Sequence, residues 1–202
     1  MSADVVALGG GSDPLRECVS GGGVAVFPTD TVYGLCCDPE DAAAVARLYD
    51  LKGRAPDKPA ALLCFSSQVA LALLEESGAR TQSALRALLP GPVTLLLANP
   101  ERRFPLCGGE LLGLRVIDIG LSLPFPVLQS SANHAGGPDP RRLEDVPPAI
   151  RAGADLVIDG GALPGLPSTV IDISALEMAG SWRIVRSGAL SDDAVTAALS
   201  RV

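Results

Sequence analysis

Residues 24–59 read VAVFPTDTVYGLCCDPEDAAAVARLYDLKGRAPDKP. Val24–Phe27 is β-branched and aromatic, the composition of a buried strand. Pro28-Thr29-Asp30-Thr31 ends it, and Thr and Asp side chains at such a junction commonly satisfy local backbone groups. A helix is predicted to follow over Asp41–Leu51, with Val45, Leu48 and Tyr49 at i, i+3, i+4 spacing. It runs into the cations Lys52, Arg54 and Lys58, which could complement the helix macrodipole. Lys58 stands directly before Pro59 and a buried apolar run instead of on a solvated face. Strand end, turn hydroxyls and convergent cations together point to a pocket for a small anionic ligand.

Outward from this stretch the chain alternates strands and helices. Pro14–Ser20 reads as a short helix stopped by Gly21-Gly22-Gly23. Ala60–Phe65, Val93–Ala98, Leu111–Ile117, Val127–Ser131, Leu156–Asp159, Thr169–Ile173 and Trp182–Arg186 read as strands. Gln68–Glu76, Thr81–Leu89, Val146–Ala152 and Asp192–Leu199 read as helices. This order predicts an α/β layer structure. Because several strands follow one another with no helix between, the sheet is expected to be open, twisted and mixed. Ligands in such sheets sit in the crevice at strand ends, where the polar turns fall.

The bulk numbers exclude several classes. A length of 202 residues predicts one domain, 1–202. Apolar runs such as Val93–Ala98 are far too short to span a bilayer, and the N-terminus lacks the pattern of a secretory signal. The chain is therefore read as cytoplasmic, with no membrane partner. The net charge of −7 opposes a whole-surface grip on nucleic acid. Five cysteines without CxxC spacing favour reduced thiols over a disulfide frame or zinc site. The single histidine, His134, rules out a multi-histidine metal centre. No P-loop and no dinucleotide fingerprint is present.

Three further polar turns carry chemistry. Ser130-Ser131-Ala132-Asn133 follows a strand and could hold phosphate oxygens or a ribose. Pro167-Ser168-Thr169 offers hydroxyls at a strand boundary, and Arg186-Ser187-Gly188 ends a strand with a cation and a glycine. Each signal alone is weak.

Their order is specific. PTDTVYGL (28–35), KGRxxxKP (52–59), GPVTLLL (91–97), LR (114–115), SSAN (130–133), PSTVID (167–172) and RIVRSG (183–188) together resemble the YrdC/Sua5 family over about residues 15–190. The resemblance implies a YrdC-like fold. It also implies an L-threonylcarbamoyladenylate synthase that condenses threonine, bicarbonate and ATP into threonylcarbamoyl-AMP and pyrophosphate. A threonylcarbamoyl-transferase complex then uses the adenylate in t6A modification of tRNA. Lys52 and Arg54 would be catalytic. Arg54, Lys58, Ser131, Asn133 and Arg186 would hold ATP, with Mg2+ carried on the nucleotide. Thr29, Thr31, Arg115 and Ser168 would hold threonine, Arg115 by fork geometry on the carboxylate. Asp30 could orient an amine or cap the turn.

The chain departs from the family pattern at Leu63, where a histidine is frequent, at Ala55 for proline, at Leu111 for threonine and at Asp139 for serine. Arg115 to Ser131 is also shorter than the family span by roughly a turn and a half of helix, a departure over Asp118–Pro126 that bears on the placement of Arg115. Two other readings share these residues: a paralogue forming another carbamoyl-adenylate, and a non-catalytic RNA- or ribosome-associated binding protein.

Overall fold

The structure, a computed structural model, describes residues 4–55 and 60–202. In chain order the elements are β1 (Asp4–Ala7), α1 (Ser12–Ser20), β2 (Ala25–Phe27), β3 (Gly34–Cys37), α2 (Ala42–Lys52), β4 (Ala61–Cys64), α3 (Ser67–Leu73) and α4 (Ala79–Leu88). There follow β5 (Val93–Ala98), β6 (Leu111–Val116), β7 (Val127–Ser131), α5 (Pro148–Gly153), β8 (Leu156–Asp159), β9 (Thr169–Asp172), α6 (Leu176–Ala179), β10 (Arg183–Arg186) and α7 (Asp192–Leu199). The strands described form one sheet in the order β1-β8-β2-β3-β7-β4-β6-β5-β9-β10. Pairing is mixed: β4 with β6 and β5 with β9 are parallel, whereas β3 with β7, β4 with β7 and β5 with β6 are antiparallel. The expected open mixed sheet flanked by helices is thus the observed one.

The PTDT turn leads into β3 and not directly into a helix, which corrects the sequence expectation. β2 and β3 form an antiparallel hairpin in which Phe27 faces Gly34 and Ala25 faces Cys36. The short run GLCC has neither alternation nor strong β-propensity, so only its pairing with β2 and β7 reveals it as a strand. β1 and α6 likewise fall outside the predicted elements.

Helix α2 shows how local sequence sets up the site. Asp41 caps its N-terminus, its carboxylate accepting from the backbone N–H of Ala43 at 2.9 Å and of Ala44 at 3.1 Å. Val45, Leu48 and Tyr49 are buried as their spacing predicts, and full burial of a Leu or Val side chain contributes about 1.5–3 kcal/mol. Gly53 ends the helix in the left-handed region at φ 60°, a conformation that favours glycine. Lys52 is therefore the last helical residue, and the chain turns sharply before Arg54.

Two apolar layers sandwich the sheet. The larger includes Leu48, Leu62, Leu95, Leu114 and Ile171 with residues of α2, α4, α5 and α7. The smaller packs Leu15 and Val19 of α1 against Phe27, Leu63, Ile117, Leu121, Leu123 and Ile158. The short Asp118–Pro126 segment has no helix, yet it places Leu121 and Leu123 in this second core. β6 keeps its register, with Arg115 opposite Leu63 of β4. The side chain of Leu63 itself is wholly buried in the second core.

Candidate active site

A cavity of about 340 Å3 opens where β5, β6, β7 and β9 meet the turn that follows β2 and the end of β10. Thr31, Arg54, Thr94, Arg115, Gln129, Ser130, Ser131, Asp139, Ser168 and Arg186 supply its polar wall. Leu96, Leu111, Gly113 and Val170 supply much of the apolar part. Three guanidinium groups and one carboxylate thus face a common space.

Arg115 stands on the wall, only 4% exposed. Its Nη2 donates to Asp30 Oδ1 at 2.6 Å and to Thr31 Oγ1 at 3.1 Å, and its Nη1 donates to Gln129 Oε1 at 3.3 Å. Its Nε is buried without a hydrogen-bond partner among the described residues. Asp30 therefore balances the charge of Arg115, a role different from both alternatives, amine orientation or turn cap, that the sequence left open. Burial pushes the Asp30 carboxyl upward from its ordinary pKa, and the Arg115 charge pulls it back.

The PTDT turn divides its two threonines. Thr29 Oγ1 donates to Val32 O at 2.6 Å and accepts from the backbone N–H of Thr31 and Val32, each at 3.2 Å. Thr29 is spent on the turn and sits a step behind the cavity wall, contrary to the expectation that it lines the pocket. Thr31 lies on the wall itself.

The cation cluster expected after α2 divides as well. Lys52 is 2% exposed and turns inward. Its Nζ reaches Ser131 O at 2.5 Å, Ser131 Oγ at 3.2 Å, Asn133 O at 3.0 Å and Asn133 Oδ1 at 2.7 Å. Those oxygens take the place of water around the ammonium, so Lys52 and Asn133 brace the SSAN turn from beneath and do not line the cavity. Burial, with the nearby Arg54 adding to it, pulls the Lys52 pKa down to about 8, while Asp139 pulls it back up. Arg54 reaches the wall. Lys58 lies outside the described residues.

Elsewhere on the wall Ser168 Oγ meets Thr94 Oγ1 at 2.8 Å. Arg186 Nη2 donates to Ser168 O at 2.7 Å and to Ser168 Oγ at 3.3 Å. Gly188 permits this approach, because a Cβ there would stand 2.3 Å from the Pro167 carbonyl oxygen. Arginine only donates, so Ser168 Oγ accepts from Arg186. Whichever way the Thr94–Ser168 bond points, one hydroxyl hydrogen of the pair is left over for a bound oxygen. The arrangement suits anionic oxygens.

The structure thus gathers Thr31, Arg54, Arg115, Ser131, Ser168 and Arg186 around one cavity, and it sets Thr29, Lys52 and Asn133 just behind. Thr94, Gln129 and Asp139 also line the wall without having been assigned from the sequence. Thr94 and Gln129 did leave a signal, each being a polar residue inside an otherwise buried strand.

Comparison with known proteins identifies relatives of the whole chain. The Sua5/YciO/YrdC family model, described as "Telomere recombination", matches residues 17–188. A Chromohalobacter salexigens protein named threonylcarbamoyl-AMP synthase is 36% identical over 166 residues, 77% of this chain and 89% of that protein. Sua5 of P. abyssi, solved in complex with L-threonine, superposes with a TM-score of 0.83 at 26% identity, over 97% of this chain and 61% of that one. E. coli YciO shares the fold with a TM-score of 0.79 at 23% identity, over 96% of this chain and 99% of that one. The chain thus spans 89% and 99% of these two bacterial proteins but under two thirds of the archaeal one.

Proposed function

Because the chain belongs to the Sua5/YciO/YrdC family, we propose that it is an L-threonylcarbamoyladenylate synthase acting in t6A modification of tRNA. The observation that carries the reading is the convergence of Arg54, Arg115 and Arg186 on one cavity that also presents Thr31, Ser131 and Ser168.

The chemistry explains the need for this convergence. Threonine's amine takes up bicarbonate as a carbamate, with loss of water. A carbamate oxygen then attacks the α-phosphorus of ATP as the bond to the β-phosphate oxygen breaks, and pyrophosphate leaves with the electron pair. Carbamate, carboxylate and phosphates are all anionic, so positioning and charge neutralisation supply most of the rate. Arg115 receives the threonine carboxylate, and Thr31 accepts from its guanidinium and so helps to hold it in place. Arg54, Arg186 and the hydroxyl of Ser131 face the nucleotide, and the Thr94–Ser168 pair offers its spare hydroxyl hydrogen to a substrate oxygen.

Lys52 and Asn133 act by holding Ser131 in place. Magnesium enters with ATP, and Asp139 is the carboxylate on the wall beside which it would arrive. The adenylate is a reactive mixed anhydride, so a threonylcarbamoyl-transferase complex consumes it. Among the described residues no helix is long and apolar enough to cross a membrane, in keeping with a cytoplasmic setting alongside tRNA.

Mass spectrometry of protein mixed with ATP, threonine and bicarbonate tests the reading. Threonylcarbamoyl-AMP is expected only when all three are present. Equal pyrophosphate release with serine in place of threonine, or without bicarbonate, overturns it.

A further inference from the structure

Gln129 lies in the middle of β7, 4% exposed, and its side chain reaches the cavity wall. Arg115 has only donors to offer, so the amide oxygen must face it, and Oε1 does accept from Nη1 at 3.3 Å. That fixes Nε2 on the far side of the amide, beside Gly34. A Cβ on Gly34 would stand 2.8 Å from Nε2. The bare backbone of Gly34, opposite Ser131 in the β3–β7 pairing, is what makes room for the amide nitrogen. Nε2 has no acceptor among the described residues.

Arg115, meanwhile, is largely committed. Of a guanidinium's five N–H donors, two on Nη2 serve Asp30 and Thr31 and one on Nη1 serves Gln129. Both two-pronged edges of the guanidinium include Nη2, so the arginine cannot present one to a carboxylate without breaking its bond to Asp30 or to Thr31. We propose that Gln129 supplies the second prong: its amide N–H binds one carboxylate oxygen of the amino-acid substrate while Arg115 binds the other. Arg115, already balanced by Asp30, fixes position, and the neutral amide adds geometry. This deepens the synthase reading and rests on it.

Calorimetric titration with L-threonine and with L-threoninamide, which lacks the carboxylate, separates this role from a structural one. In Gln129→Met the preference for threonine over threoninamide is expected to shrink at least fivefold, because the amide prong is gone. Gln129→Glu keeps an acceptor on Arg115 but cannot donate, and it should lower the preference further, with ATP affinity unchanged in both variants. Thermal melting establishes that each variant is folded, and either folded variant suffices for the test. An unchanged preference, or equal weakening of both ligands, overturns the assignment of Gln129 alone. No threonine binding by the unaltered protein overturns the synthase reading together with it.

Discussion

Lys52 Nζ lies 2.7 Å from Asn133 Oδ1, so the last residue of α2 is tied to the turn after β7 across 81 residues of chain. The same nitrogen holds the Ser131 carbonyl, and Ser131 Oγ in turn donates to Asn133 Oδ1 at 2.7 Å. An internal cation thus organises the SSAN turn, and Ser131 is presented to the cavity from a supported backbone.

Lys52→Ala should therefore reduce turnover strongly, even though Lys52 does not reach the wall. Carbonyl and amide oxygens left buried without their donor cost about 1–3 kcal/mol, so denaturant unfolding should show a loss of that order in a protein that still folds. Unaltered stability with lost turnover would place Lys52 on substrate directly.

The same lysine makes a prediction about pH. Its pKa of about 8 in the folded protein lies below the ordinary 10.5, so unfolding takes up a proton between these values. The stability contributed by this group is lowest below pH 8 and rises towards pH 10.5, by at most about 1.4 kcal/mol per pH unit. The stability difference between the unaltered protein and Lys52→Met should move in favour of the former over that window. A difference that stays flat from pH 8 to 10 would return Lys52 to an ordinary pKa.

Arg115→Ala is expected to raise the threonine KM tenfold or more while leaving the ATP KM within about twofold; a tenfold change corresponds to about 1.4 kcal/mol. Asp30→Asn should be the more destabilising of the two changes, because it leaves the Arg115 cation buried with no counter-charge. Kinetics with each substrate varied in turn, and thermal melting of both variants, check this. A rise confined to the ATP KM would reassign Arg115 to the nucleotide.

Thr94→Val keeps shape and removes the hydroxyl that meets Ser168 at 2.8 Å. Stability should change by about 1 kcal/mol, whereas turnover at saturating substrates should fall about tenfold. Turnover equal to that of the unaltered protein would show that the hydroxyl pair serves the fold alone.

Much of the scaffold was legible in the residues themselves. Val93–Ala98, Val127–Ser131, Leu156–Asp159 and Asp192–Leu199 have the predicted bounds, since apolar runs and turn residues act within a few positions of the chain. Other helix ends shift by one to three residues, as at α1, where the helix begins at Ser12 and not at Pro14. β3 escaped because its own residues carry no strand pattern and its evidence is its pairing, with β2 and with β7 more than ninety residues away.

Amino-acid order alone determined the layers, the helix over Asp41–Leu51 to within one residue, and which polar turns punctuate the strands, because backbone dihedral preferences and side-chain periodicity are local. Only the tertiary structure decided that Asp30 neutralises Arg115, that Lys52 turns inward while Arg54 reaches the cavity, and that Gln129 fits beside a bare Gly34. Those pairings depend on sheet register and on which charges lose their water, and both are set when distant strands come together.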